Sequence, residues 1–415
     1  MENKKIKLPS LTVQILIGAV LGMALGLIIG EPMKNVKFLG DIFINLVMMA
    51  IYPMVMTAIA RSFAENTGGN VGKMSAKTFI WIIIFTFISA MIGLALGTLI
   101  KPGAGIEVAA AAEAAEITQP NLIQTITGFV PNNVFAAMSN GNMVQLIVFS
   151  IMFGIAAGKI KEKTGNDNLV QWIKSVNETT MYIITEIVMK IAPIGIFAML
   201  ANVAATTGVA VIFTALKFLA CLWIGDIIQF LLYFPAAAAR CGVSPLKMPA
   251  KFAKMSFLAV TTTSSSVVLP TKIEDEVTKF GVSRKVADFT GPITASMNSC
   301  GAVNCYVIVI LFAAQATGIQ LSWTQIGLSI LLAAMMCMGT ITVPGGVVGT
   351  LTTLVVSMGL PVEAIALCIG IDWFSGQART LMNVDVDVLV GMLVSKELGE
   401  FDKDVYNGVK TVTYD

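Results

Sequence analysis

The chain has no histidine. That removes the commonest general base and the commonest metal ligand. Charge is also scarce. Asp, Glu, Lys and Arg make up 13% of the 415 residues, where a soluble domain carries roughly 25%. The formal net charge of +2 argues against a nucleic-acid partner. No cysteine pair has CxxC spacing. Cys221, Cys241, Cys300, Cys305, Cys337 and Cys368 are scattered through apolar segments and read as buried free thiols. There is no GxxxxGK[ST] phosphate loop, so a primary pump has no support. The basic N-terminus lacks a small-residue cleavage site and reads as having no signal peptide. What is abundant is apolar: 56% of residues are hydrophobic, which points to a polytopic membrane protein.

Eight stretches read as membrane spans, at about 11–30, 39–61, 78–100, 133–157, 169–196, 209–236, 286–317 and 362–395, each with about 20 or more mostly apolar residues. Basic residues collect in alternate connections. Lys4, Lys5 and Lys7 precede the first span, and Arg61, Lys73 and Lys77 follow the second. Lys159, Lys161 and Lys163 follow the fourth. Arg240, Lys247, Lys251 and Lys254 follow the sixth, and Lys272, Lys279, Arg284 and Lys285 precede the seventh. By the positive-inside rule both termini are cytoplasmic.

Two further apolar stretches do not fit as spans. Residues 247–272 contain AVTTTSSSVVLPTK with basic residues at both ends, and 324–358 contain MMCMGTITVPGGVVGTL between connections without Lys or Arg. Each must enter and return from one side. Each breaks at its centre, over Thr261 to Ser266 and Gly339 to Gly346. Irregular backbone at membrane depth is tolerated only where it is buried or lines a cavity, and paired interrupted segments point to a transporter's binding site. The seventh span carries Asn298, Gly301 and Asn304 within GPITASMNSCGAVNCY. An unwound turn there offers backbone carbonyls to a hard cation such as Na⁺; the alternative is a helix using small and polar residues for packing.

The eighth span holds the strongest signal. In PVEAIALCIGIDWFSGQARTLMNVDVDVLVGMLV, residues Asp372, Gly376, Arg379, Asn383 and Asp387 fall on one narrow helical face, while Asp385 points the other way. Charges at mid-bilayer cost about 2.5–3.5 kcal/mol each on insertion scales. A stripe of them predicts a polar site for an anion beside a small cation.

Taken in order, the serine triplet, the interrupted seventh span, the GT..VPG tip and the D……RT..N…D eighth span resemble the dicarboxylate/amino acid:cation symporter family, most clearly from Lys251 to Glu397. Weaker likeness reaches KIAPIGIFAML (190–200) and NVFAAMSNGN (133–142). The resemblance implies an all-α integral membrane protein of eight transmembrane helices and two re-entrant hairpins. It implies a homotrimer in contact with membrane lipid, in the cell inner (plasma) membrane. Residues 1–77 and 101–208 would form a trimerisation scaffold. Residues 78–100 and 209–395 would form an elevator-type transport domain, and 396–415 a cytoplasmic tail. The second hairpin would be the gate, hinging at Gly339, Gly345 and Gly346.

By motif position, Arg379 would grip a carboxylate of a small substrate, with Thr380 and Asn383 adding hydrogen bonds. Ser265, Ser266, Val343 and Gly345 would hold its other carboxylate. Asp387 with carbonyls of Thr294, Asn298 and Asn383 resembles one Na⁺ site. Carbonyls of Ser296, Cys337, Met338 and Thr340 resemble a second, closed by the gate. Na⁺ would be co-transported, with H⁺ as the other possible coupling ion.

The chain departs from the family pattern in several places. Gly376 stands where amino-acid-transporting members place an aspartate for the substrate ammonium, which favours a C4-dicarboxylate over an acidic amino acid. Asp372, one turn earlier, could still serve an amine. Cys300 replaces an aspartate of a further Na⁺ site, and a thiol is a poor Na⁺ ligand. Ala302 removes a hydroxyl near the substrate. Thr263 and Gln377 stand where some members have arginine. Asp385 is extra, and reads as a carboxylate paired with a lysine, reaching water, or coupling protons. Asp226 and Glu186 read as helix-packing or water-facing groups, with proton carriage as the other reading. Two other classes are weaker readings: a passive anion channel using Arg379, and a serine hydrolase using Ser264 to Ser266 with Lys254 or Lys272 as base. The hydrolase lacks a GxSxG elbow.

Overall fold

The computed structural model describes residues 11–65, 72–105, 127, 130–140, 143–337 and 347–414. Among them every regular element is helical. The chain opens with α1 (Leu11–Ile29), α2 (Lys37–Glu65) and α3 (Gly72–Ile100), followed by the short α4 (Val134–Ser139), α5 (Met143–Thr164) and α6 (Asn168–Tyr182). Next come α7 (Ala192–Thr207), α8 (Ala210–Cys241), α9 (Met248–Thr262), α10 (Ser265–Thr278), α11 (Arg284–Met297) and α12 (Cys300–Ala316). The chain closes with α13 (Trp323–Cys337), α14 (Val347–Ser357), α15 (Ala366–Gly370), α16 (Asp372–Glu397) and α17 (Lys403–Asn407). Three helical runs are long and apolar enough to cross a membrane by length and composition: Lys73–Ile100, Ala210–Cys241 and Arg284–Ala316.

Helix lies in each of the eight apolar stretches, and three differ most in extent; that expected at 133–157 is divided between α4 and α5, which runs on to Thr164. The stretch expected at 169–196 continues to Thr207, with π and 3₁₀ turns over Ile183–Ile187 and Val188–Ile191. Pro193 accounts for the break, since it lacks an N–H and its ring crowds the carbonyl four residues back. The stretch expected at 362–395 is not one helix. It breaks at Ile371 (φ −103°, ψ 17°), so Asp372 opens α16 instead of lying within a helix. A carboxylate in a first turn is favoured by the helix dipole.

Two groups of helices pack mainly among themselves. In the first, α1 lies along α7, and α2 lies against α5, α6 and α7. Gly18, Gly22 and Gly26 of α1 face α7 so closely that an added Cβ would run into the carbonyls of Pro193, Phe197 and Ala201. Small residues at four-residue spacing let two backbones meet this way. In the second group, α3 and α8 flank α12, and α16 lies against α8, α9, α11 and α12. Apart from Gln315, every residue of α12 is buried, as suits a helix apolar on all sides.

The C-terminal residues fold back on the base of the α9–α10 pair. The Asp402 amide donates to Gly281 O (2.8 Å), and the buried Tyr406 hydroxyl donates to Ser244 O (2.7 Å). Lys251 Nζ lies 4.8 Å from the centre of the Tyr406 ring. The Tyr414 hydroxyl donates to Asp288 Oδ1 on α11 (2.8 Å). The Lys410 ammonium, donating to Asp402 Oδ2, holds that carboxyl below its usual range.

Candidate functional site

Arg379 is 2% exposed and sits two turns into α16. Its Nη2 donates to Asp372 Oδ1 (2.7 Å) and its Nη1 to Ser375 Oγ (2.8 Å). The Cys305 sulfur of α12 lies 3.8 Å from Nη1. Asp372, Ser375 and Arg379 share one face because they are three, four and seven residues apart. The guanidinium is thus held by its own helix, with Nε left without a hydrogen-bond partner among the described residues.

Gly376 lies on the same face. A Cβ there would meet Arg379 Nη2 at 3.4 Å and the Thr263 side chain at 3.8 Å. These are ordinary contact distances, so the position has room for a side chain. Thr263 ends α9 with φ 50° and ψ 31°. A β-branched residue rarely adopts this left-handed conformation, and such strain gathers at functional sites. Ser264 then turns the chain in an extended conformation and Ser265 starts α10. The buried hydroxyls of Thr263, Ser265 and Thr380 have no hydrogen-bond partner among the described residues. The break expected at the serine triplet is therefore present, and it meets the Arg379 face through Thr263. Ser266 lies in α10.

One turn beyond Arg379, Asn383 Oδ1 accepts from the amides of Gly301 (2.9 Å) and Ala302 (3.3 Å). The side chain thus caps the start of α12, satisfying amides that have no partner within the helix. Gly301 permits the close approach: a Cβ there would lie 2.5 Å from Arg379 O. Asn304, also buried, lies between Gly93 of α3 and Gly225 of α8.

Asp387 completes the stripe, and here the structure departs from expectation. Its Oδ1 accepts from Asn298 Nδ2 (2.7 Å) and its Oδ2 from Lys272 Nζ (2.7 Å). Lys272 and Asp387 side chains are each 1% exposed. Lys272 Nζ also donates to Gly291 O (2.9 Å) and Thr294 Oγ1 (3.1 Å). One expectation is corrected. Lys272 is not a cytoplasmic loop charge marking topology; it lies inside α10, buried against α11 and α16. Asn298 turns its side-chain N–H toward Asp387, and Thr294 contributes its hydroxyl to the cluster, while its carbonyl accepts from the Asn298 amide (2.8 Å). The Cys300 thiol, which replaces the expected aspartate, donates to Asn298 Oδ1 (3.1 Å) and so fixes the rotamer of that amide.

The other expected site residues divide. Ser296 is half-buried and donates to Ile293 O (3.0 Å), and Cys337 ends α13, buried. Met338, Thr340, Val343 and Gly345 lie outside the described residues, as do Gly339 and Gly346. Asp385 is 1% exposed, and both its oxygens accept from Ser256 Oγ of α9, at 3.0 and 2.9 Å. It is buried, and among the described residues it has no lysine partner. Glu186 is exposed and Asp226 buried. Sequence reasoning missed Glu276, which is 0% exposed with both carboxyl oxygens lacking hydrogen-bond partners among the described residues. The available signal was its spacing: it stands one helical turn after Lys272, on the same face.

Comparison with known proteins gives one pattern throughout the chain. The family model described as the sodium:dicarboxylate symporter family matches residues 11–397. A proton/glutamate-aspartate symporter of Escherichia coli (strain K12) is 30% identical over 414 residues, covering 95% of this chain and 94% of that protein. A proton/sodium-glutamate symport protein of Bacillus caldotenax is 29% identical over 405 residues, covering 94% and 95%. A C4-dicarboxylate transport protein of Rhizobium leguminosarum is 29% identical over 411 residues, covering 97% and 92%.

Proposed function

The chain belongs to the sodium:dicarboxylate symporter family, and from that premise we propose that it carries a small dicarboxylate across the membrane together with a cation. The observation that carries this reading is Arg379: a buried guanidinium held in a fixed orientation at the turn between α9 and α10. Such a planar donor suits a carboxylate, bidentately where geometry allows. Thr380 and the hydroxyls of Thr263 and Ser265 are the polar groups available to the rest of the substrate. Ser266, Val343 and Gly345 are proposed to complete its cradle. The relatives whose names include glutamate or C4-dicarboxylates are consistent with a substrate of this size and charge.

Gly376 offers no charge to a substrate ammonium, and Asp372 is already bound to Arg379. Both facts favour a dicarboxylate such as succinate over an acidic amino acid. The second reading, glutamate or aspartate, is supported by Asp372 alone, which could exchange part of its bond with Arg379 for a substrate amine. Ser296, Cys337, Met338 and Thr340 are proposed as the site of the transported cation, and Asp387, with Thr294, Asn298 and Asn383, as a second position that holds positive charge. The separate packing of α1, α2, α5, α6 and α7 supports a fixed scaffold, with α3, α8–α14 and α16 as the moving part of an elevator. Outward-facing apolar residues such as Ile17, Val20, Phe87, Phe213 and Leu231 suit lipid contact. A homotrimer in the inner (plasma) membrane, with both termini cytoplasmic, completes the proposal.

The test is uptake of labelled succinate and aspartate into proteoliposomes, under an inward Na⁺ gradient and under a pH gradient alone. Concentrative succinate uptake driven by either gradient is the expected result. Aspartate uptake without succinate uptake supports the second reading. Flux that ignores both gradients marks a channel.

A further inference from the structure

We propose that the ammonium of Lys272 is a built-in cation that fills the position beside Asp387, so that this position binds no Na⁺ in the native chain. The inference deepens the symporter reading and rests on it only in taking Asp387 as a cation position.

The geometry is that of a filled site. A lysine ammonium has three N–H donors and no acceptor. Three acceptors surround Lys272 Nζ: Asp387 Oδ2 at 2.7 Å, Gly291 O at 2.9 Å and Thr294 Oγ1 at 3.1 Å. They come from α11 and α16, while the ammonium comes from α10. One is a carboxylate, one a carbonyl and one a hydroxyl. That is an all-oxygen donor set of the kind that binds a hard cation. The remaining carboxylate oxygen, Asp387 Oδ1, is taken by Asn298 Nδ2. Asn298 is in turn fixed by the Cys300 thiol. Each Asp387 oxygen therefore already has a hydrogen-bond donor.

A free Na⁺ entering this cluster would face an ammonium and an amide N–H across the same carboxylate. Like charges at this separation in a buried site repel strongly. Nor can the lysine simply withdraw to water, because its side chain is 1% exposed. Glu276, the buried carboxylate one turn along α10, has no hydrogen bond to it, so leaving Asp387 would break a formed buried ion pair, which is strongly disfavoured. The fixed ammonium neutralises Asp387 in every state of the carrier. A tethered charge is never released to either solution, so it stores no work from an ion gradient. Coupling must then draw on an ion bound elsewhere.

The experiment uses the full-length chain in lipid nanodiscs and reads melting temperature against Na⁺, with K⁺ and choline as controls. Wild type is compared with Lys272→Thr, with the neutral pair Lys272→Met/Asp387→Asn, and with Lys272→Thr/Asp387→Asn. Lys272→Thr is expected to show a Na⁺-specific rise larger than that of wild type, and adding Asp387→Asn should remove the added part. The neutral pair should keep whatever Na⁺ response wild type has. A wild-type Na⁺ response that the neutral pair loses overturns the proposal, as does a folded Lys272→Thr with no gain. Should the variants fail to fold, ¹⁵N-lysine spectra of wild type decide. A buried ammonium signal unchanged at saturating Na⁺ supports the proposal, and its displacement overturns it. Stabilisation by succinate or glutamate, and its loss in Arg379→Ala, tests the carboxylate reading separately. Failure there leaves the Na⁺ comparison readable.

Discussion

Asp372 and Arg379, two turns apart on one helix, are joined carboxylate to guanidinium at 2.7 Å, so the cation proposed to bind the substrate already has an internal counter-ion. A substrate carboxylate must share Arg379 with Asp372. Asp372→Asn keeps the shape and removes the competing charge. Succinate should bind about tenfold tighter, an electrostatic gain of roughly 1–2 kcal/mol in a partly screened site. Aspartate should gain less or weaken, because its amine loses the nearest carboxylate. Equal tightening of both ligands in thermal-shift titrations would show that Asp372 takes no part in selection.

Arg379→Ala removes the buried cation itself. Each charge-assisted hydrogen bond is worth about 1.5–3 kcal/mol, so carboxylate affinity should fall about a hundredfold or more. Arg379→Lys keeps the charge but loses the fork that spans Asp372 and Ser375, and should recover only part of the loss. Retained succinate affinity in Arg379→Ala would refute the role given to this residue.

Gly376→Asp places a carboxylate where a Cβ has ordinary contacts with Arg379 and Thr263. The variant should fold, and its preference should move from dicarboxylates toward acidic amino acids. Competition of unlabelled aspartate against labelled succinate reads the shift; an unaltered ratio would remove Gly376 from the selectivity argument.

Gly301→Ala puts a Cβ 2.5 Å from the backbone oxygen of Arg379. Backbone cannot swing aside as a side chain can, so α12 and α16 must part. Overpacking of this kind costs about 1–3 kcal/mol. The melting temperature should drop, and the Asn383 cap on α12 should weaken with it. An unchanged melting temperature would mean that the two helices are held less rigidly than their contact implies.

Thr263→Gly tests the strain at the turn. The left-handed conformation costs a non-glycine residue about 1–2 kcal/mol, and glycine gives back part of that through its freedom when unfolded. A gain of up to about 1 kcal/mol in stability is expected, with weaker substrate binding because a hydroxyl is lost. A loss of stability would mean that packing of the threonine methyl outweighs the strain.

How much of this was legible beforehand follows from the range of each interaction. The α16 stripe is a matter of helical period, and Arg379, Asn383 and Asp387, all buried, recur at four-residue spacing along one face of the helix. The breaks at the serine triplet and at Asn298 announce themselves through small and polar residues in apolar runs. Lys272 could not be read in this way. Its partner Asp387 is 115 residues away, and a lysine at the edge of an apolar stretch looks like a topology marker. The partner of Asp385 was hidden for the same reason, since Ser256 lies 129 residues earlier. The helix break before Asp372 was also hidden, because nothing in IGID marks it as proline or a polar cluster would.

The returning C-terminal segment bears on how the chain assembles during synthesis. Helices α1 and α7 can meet along the glycine face of α1 while the ribosome is still translating. The base of the α9–α10 pair cannot be finished then. Its contacts with Asp402 and Tyr406 join residues more than a hundred positions apart, and the latter 162 apart. Such long-range closures are slow. Until residues 402–414 emerge, the apolar base of that pair stays uncovered, and this interval is when the nascent chain is most exposed to aggregation and to proteases.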